Sequence, residues 1–90
     1  MTKEELIDFL KENKINYVVD NDSPIEYVRI VGKAVDIVSF NGQKQKFVPY
    51  LRVSHFGDKS GMLYVRDCGI VYWKSPEWIK KQAIKYNKGE

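Results

Sequence analysis

The sequence predicts an α+β domain: an antiparallel meander sheet of about five strands, flanked by an N-terminal and a C-terminal helix. Two observations carry this. A capped, amphipathic stretch opens the chain and another closes it, and between them run short β-branched segments broken by turn residues. Strands that follow one another without intervening helices pair antiparallel. A partly open small β-barrel with two helices is the alternative that the same pattern allows.

The first helix is signalled by Thr2, a capping residue, with Glu5 three positions on as in a capping box. Leu6, Phe9 and Leu10 follow at i, i+3, i+4 and make one face apolar, widened by Ile7, and the helix should fade near Asn13. "INYVV" reads as a short strand, after which Asp20-Asn21-Asp22-Ser23 before Pro24 reads as a turn. "IEYVRIV" (25–31) is apolar on both alternating sets, which suits a central strand. "AVDIVSF" (34–40) leads into Asn41-Gly42, a hairpin signal because both residues tolerate positive φ. The run from Lys44 meets Pro49, which cannot donate to a ladder, so it is expected at an edge or at a bulge, with "YLRVSHF" (50–56) resuming it. "GDKSG" (57–61) reads as a five-residue hairpin loop, and "MLYVRD" (62–67) and "IVYW" (70–73) complete the set. Ser75, Pro76 and Glu77 open the second helix as N-cap, first helical residue and dipole partner. Ile79, Ala83 and Tyr86 should face the sheet, and Lys81, Lys85 and Lys88 form a strip elsewhere on the helix.

Ninety residues make a single small domain, 1–90, with a thin core. One cysteine rules out an internal disulfide framework, and no signal-like or membrane-length apolar run is present, so a cytoplasmic location without membrane association is expected. The net charge of +3 is uneven. Residues 1–28 carry three lysines against seven acids, and residues 29–90 carry twelve cations against five acids. Lysine outnumbers arginine twelve to three, a bias that an AT-rich genome produces and that fits a low-GC bacterium or its phage.

The residues do not assemble a recognisable catalytic or metal motif. His55 and Cys68 stand thirteen positions apart with no second histidine or thiol, too few ligands for a structural zinc site. "GDKSG" leads into a strand rather than a helix and so lacks the amides of a phosphate loop. No catalytic residue, metal or cofactor is assigned, and the chain is read as a non-enzyme.

Charge and register give a sharper expectation. If 57–61 is a hairpin loop, Phe56 faces Met62, Ser54 faces Tyr64, Val53 faces Val65 and Arg52 faces Arg66. His55, Val53, Leu51, Leu63 and Val65 then point inward, and Tyr50, Arg52, Ser54, Phe56, Met62, Tyr64 and Arg66 share the other face. A two-residue turn at Cys68-Gly69 would add Trp73 opposite Tyr64 and Val71 opposite Arg66. Facing arginines repel, so an acid from the N-terminal segment, or an external anion, should answer them.

The candidate binding residues are therefore Tyr50, Arg52, Tyr64 and Arg66 on the sheet, with Trp78, Lys81, Lys85 and Lys88 on the last helix. The expected function is a small protein-binding module for a partner with an acidic surface, such as a phage or mobile-element protein that modulates a host factor. Nucleic-acid binding through the basic and aromatic sheet face and the lysine-rich helix is the alternative, and a small enzyme without a recognisable motif is a more distant one. Self-association through an edge strand is compatible with each.

Overall fold

The computed structural model describes residues 1–21, 24–57, 61–67 and 69–89. Helix α1 (Lys3–Glu12) is followed by β1 (Tyr17–Asp20), β2 (Tyr27–Val31), β3 (Val35–Val38), β4 (Lys44–Phe47), β5 (Tyr50–Ser54), β6 (Leu63–Asp67), β7 (Ile70–Lys74) and helix α2 (Pro76–Lys88). The expected α+β architecture is what forms. Five strands make an antiparallel sheet in the order β1-β2-β5-β6-β7, β3 and β4 form a separate two-stranded hairpin, and the sheet does not close into a barrel.

Both helices start as their caps dictate. The Thr2 hydroxyl accepts from the Glu5 N–H at 3.1 Å, and the Ser75 hydroxyl accepts from the Trp78 N–H at 3.3 Å with Pro76 in the first helical turn. Helix α2 stops at Gly89, whose left-handed backbone (φ 78°) lets its N–H reach the carbonyls of Lys85 and Tyr86. The two helices lie on the same side of the sheet. Leu6 and Leu10 from α1 and Ile79, Ala83 and Tyr86 from α2 close over Val28, Ile30, Leu51, Val53, Leu63 and Val65. One cross-strand row of that face, Val19–Val28–Val53–Val65–Tyr72, spans the whole sheet. Asp67 also lies on this face, where its carboxylate accepts from Tyr86 Oη at 2.8 Å and Tyr72 Oη at 3.3 Å, tying α2 to β6 and β7.

The segment around Pro49 differs from expectation. Residues 44–56 are not one bulged strand. Pro49 separates β4, which pairs only with β3, from β5, which lies at the centre of the main sheet. The missing proline N–H ends one ladder, and the Pro49 carbonyl, accepting from Gly32 N–H at 2.8 Å, closes the neck where the hairpin leaves the sheet. The hairpin turn also differs. Only Gly42 takes positive φ (84°); Asn41 does not, and the Gly42 N–H reaches back to the Ser39 carbonyl, so the loop is longer than a two-residue turn. Asp36 stands opposite Lys46 in this hairpin and is exposed.

No described helix is long and apolar enough to cross a membrane.

Candidate binding surface

The sheet has a second face, and no helix covers it. Alternation puts Val18, Asp20, Tyr27, Arg29, Val31, Tyr50, Arg52, Ser54, Tyr64, Arg66, Val71 and Trp73 there, because their neighbours in each strand are core residues. The expected register of β5 and β6 is observed: Ser54 faces Tyr64, Val53 faces Val65 and Arg52 faces Arg66. So is that of β6 and β7, with Trp73 opposite Tyr64 and Val71 opposite Arg66.

Arg29 extends the pair of facing arginines to three. It stands opposite Arg52 on β2, so Val18–Arg29–Arg52–Arg66–Val71 is one row across all five strands. These are the only arginines in the chain. Adjacent strands lie about 4.8 Å apart, so the three side chains start close together and repel.

Two kinds of partner soften the repulsion. Arg29 Nη2 lies 3.4 Å from Asp20 Oδ2, whereas among the described residues no acid pairs with Arg52 or Arg66, the two arginines that an N-terminal acid is expected to answer. Tyrosine rings serve the central pair. The Arg29 guanidinium carbon lies 5.9 Å from the Tyr50 ring centroid, and that of Arg52 lies 5.8 Å from the Tyr27 ring. These two contacts are reciprocal diagonals of one antiparallel strand pair. Arg66 has no carboxylate and no ring contact among the described residues. Its neighbour Asp67 projects to the opposite face and is engaged by Tyr72 and Tyr86. The Nε atoms of all three arginines are buried without a hydrogen-bond partner. The guanidinium is a planar fork of donors whose geometry matches a bidentate carboxylate or phosphate.

Beside the arginine row lies an aromatic one. Tyr64 and Trp73 meet edge to face at 5.5 Å, and His55 completes a triad at 5.1 Å from Tyr64 and 5.4 Å from Trp73. This corrects the placement of His55 and Phe56. His55 adopts a left-handed backbone (φ 64°), which interrupts alternation at the end of β5. Its ring therefore joins the arginine face rather than the core, while Phe56 packs against the core instead of standing with the arginines. Ser54 is fully buried beneath this cluster, its Oγ 2.8 Å from His55 Nδ1.

The helical candidates lie elsewhere. Trp78 is half-buried against the core, edge-on to Tyr72 at 5.6 Å, with the Lys74 ammonium 5.0 Å above its ring. Lys81, Lys85 and Lys88 are exposed on α2, which packs on the opposite side of the sheet from the arginines. The eight predicted residues thus divide into Tyr50, Arg52, Tyr64 and Arg66 on one face and Trp78, Lys81, Lys85 and Lys88 on the other. No single flat surface can use both sets.

Sequence reasoning missed Arg29 and Tyr27 as members of the face, although a signal for both was present, and it set Trp73 opposite Tyr64 without counting it among the candidate binding residues. Every arginine ends the same tripeptide pattern, Tyr-aliphatic-Arg: Tyr27-Val28-Arg29, Tyr50-Leu51-Arg52 and Tyr64-Val65-Arg66. Spacing of two sets Tyr and Arg on one face and buries the aliphatic residue between them.

Among the described residues no cluster of three or more His, Cys, Asp or Glu could hold a metal ion. Cys68 lies outside the described residues, as do Asp58–Ser60 of the predicted loop and Asp22 and Ser23 of the predicted turn. A scan against protein-family models found no match for this chain, and searches of curated proteins and of solved structures found none either.

Proposed function

We propose that this domain is a non-enzymatic protein-binding module whose working surface is the uncovered sheet face and whose partner presents carboxylates to the arginine row. The observation that carries the proposal is the composition of that face: three arginines, three tyrosines and a tryptophan against one carboxylate among the described residues, while the one lysine in the five strands, Lys74, alternates to the helix side. The chain holds twelve lysines, so their exclusion from this face is selective. Protein interfaces enrich Arg, Tyr and Trp and deplete Lys. A surface that tracks phosphates has no reason to avoid lysine, since both cations neutralise a backbone. Exposed Val18, Val71 and Trp73 add apolar contact at the flanks of the row. In a phage or mobile element, such a module would act on a host protein.

The test is a titration followed by tryptophan fluorescence in a Trp78→Phe background, so that the signal reports Trp73 on the open face. The probes are an acidic peptide with interspersed apolar residues and a single-stranded oligonucleotide of equal charge. The reading expects the peptide to bind at physiological salt and Arg66→Glu to abolish binding. Tighter binding of the oligonucleotide, with steep salt dependence, would replace the protein reading by the nucleic-acid one.

A further inference from the structure

Strand β7 ends the sheet, and Lys74 is the one edge-guarding residue in its sequence. Natural edge strands are guarded by proline, bulges, inward charges or brevity. β7 has five residues, pairs with β6 in unbroken register from Leu63↔Lys74 to Asp67↔Ile70, and contains no proline. Its one charged residue, Lys74, has its ammonium drawn over the rings of Tyr72 and Trp78 at 5.2 and 5.0 Å. Ile70, Val71 and Trp73 are 65%, 39% and 45% exposed. The other edge, β1, is one residue shorter and carries Asp20.

From this edge we infer that two copies of the chain associate through β7, antiparallel about a two-fold axis at Tyr72, to form a continuous ten-stranded sheet. The chemistry of the strand is self-complementary in that register. Val71 meets Trp73 of the second copy twice, an aromatic and β-branched pair on the open face. Tyr72 meets its own copy, and Ile70 meets Lys74, so no like charges face each other. The axis stands perpendicular to the sheet, so both helix layers share one side and both arginine faces share the other. The arginine row of one copy then runs into the Trp73–Tyr64 row of the second, which separates the two sets of guanidinium groups. A pairing of one short strand buries little area, so the dimer is weak and depends on concentration.

This inference goes beyond the proposed function and is tested at a residue outside the arginine face. Ile70 projects to the helix side, so its substitution leaves the proposed binding surface untouched. Sedimentation equilibrium of the full chain should show a weight-average mass rising from 10.5 kDa toward twice that value as concentration reaches the millimolar range. Ile70→Lys places two like-charge pairs across the axis and should weaken the dimer by about tenfold. Ile70→Glu places a carboxylate opposite Lys74 of each partner and should restore or tighten it, which a merely apolar contact at position 70 would not do. Thermal unfolding of both variants by circular dichroism establishes that each is folded. A mass that stays at 10.5 kDa throughout overturns the inference, as does a dimer that both variants weaken equally. A dimer lost on Arg52→Glu but kept in Ile70→Lys would place self-association on the open face instead. Loss of acidic-peptide binding in Arg66→Glu with the dimer intact, or the reverse, separates the two proposals.

Discussion

On Arg52 two effects of similar size act on one guanidinium. Each facing arginine costs about 0.2–1 kcal/mol on the scale of cross-strand pairs. A partly buried cation–π contact returns about 0.5–2 kcal/mol. The reciprocal contacts Arg29–Tyr50 and Arg52–Tyr27 therefore come close to cancelling the Arg29–Arg52 repulsion, with Asp20 assisting Arg29. Nothing described plays that part for Arg66, because Tyr64 is occupied with His55 and Trp73. The residue scale also explains which parts of the site the sequence concealed. Facing arginines on β5 and β6 were legible, because a short loop fixes their register. The left-handed turn at His55 was not legible, since no glycine marks it, and a one-residue break in alternation exchanged His55 and Phe56 between faces. A second left-handed residue, Lys14 (φ 55°), follows α1, where glycine is the favoured residue. Lys14→Gly should stabilise the domain by about 0.5–1 kcal/mol in denaturant unfolding. At the start of α1, the hydrogen bond from Lys3 to Glu26 holds the Lys3 ammonium above the ordinary lysine value. A raised value means that this contribution is complete at neutral pH and is lost only as pH rises through the strongly alkaline range.

Among the elements, the β3–β4 hairpin is an insertion in the meander. None of residues 33–48 belongs to the buried core, and Phe40 at its turn and Val38 are exposed. Val31 already faces Tyr50, and the Gly32 N–H bonds the Pro49 carbonyl, so the strands that flank the insertion meet at its neck. Replacing residues 33–48 by a tight turn should leave the domain folded, with a melting temperature by circular dichroism changed only slightly. Collapse of the far-ultraviolet spectrum would show that the hairpin supports the sheet. The neck itself is crowded. A Cβ on Gly32 would approach Pro49 Cγ to 2.9 Å and Tyr86 Cβ to 3.0 Å, so Gly32→Ala should cost about 1–3 kcal/mol. The element pattern was largely legible, because caps, β-branched runs and turn residues are local signals. The separation of β4 from β5 was not. Pro49 marks a break in a ladder, and whether the chain continues in the same sheet or leaves it depends on contacts far away in sequence.

Considered whole, the molecule sorts its charge by layer. The acidic α1 and the lysine-rich α2 pack side by side over the core, with the Lys80 ammonium 5.4 Å above the Phe9 ring. The lysine strip therefore shares a layer with the carboxylates of α1, whereas the arginines hold the opposite face, where Asp20 is the one carboxylate among the described residues. Replacing Lys81, Lys85 and Lys88 together by alanine should leave acidic-peptide affinity within about twofold, the precision of a titration at a screened distance. An equal loss for that variant and for Arg66→Glu would mean that only net charge governs binding. A net charge of +3 revealed an anionic partner as an option but could not reveal this sorting, since the layers are set by which strand faces the helices cover.

Among the described residues Arg66 has no carboxylate and no ring beside it, so its charge should cost the fold something that the proposed acidic partner would offset. The most direct measurement is the unfolding free energy of Arg66→Met against the unaltered chain, by denaturant titration at low ionic strength. Removing an uncompensated cation should hold stability constant or raise it by up to about 1 kcal/mol. A variant less stable by more than about 1 kcal/mol would mean that Arg66 is a structural residue with a partner inside its own fold and that its charge is not left over for binding.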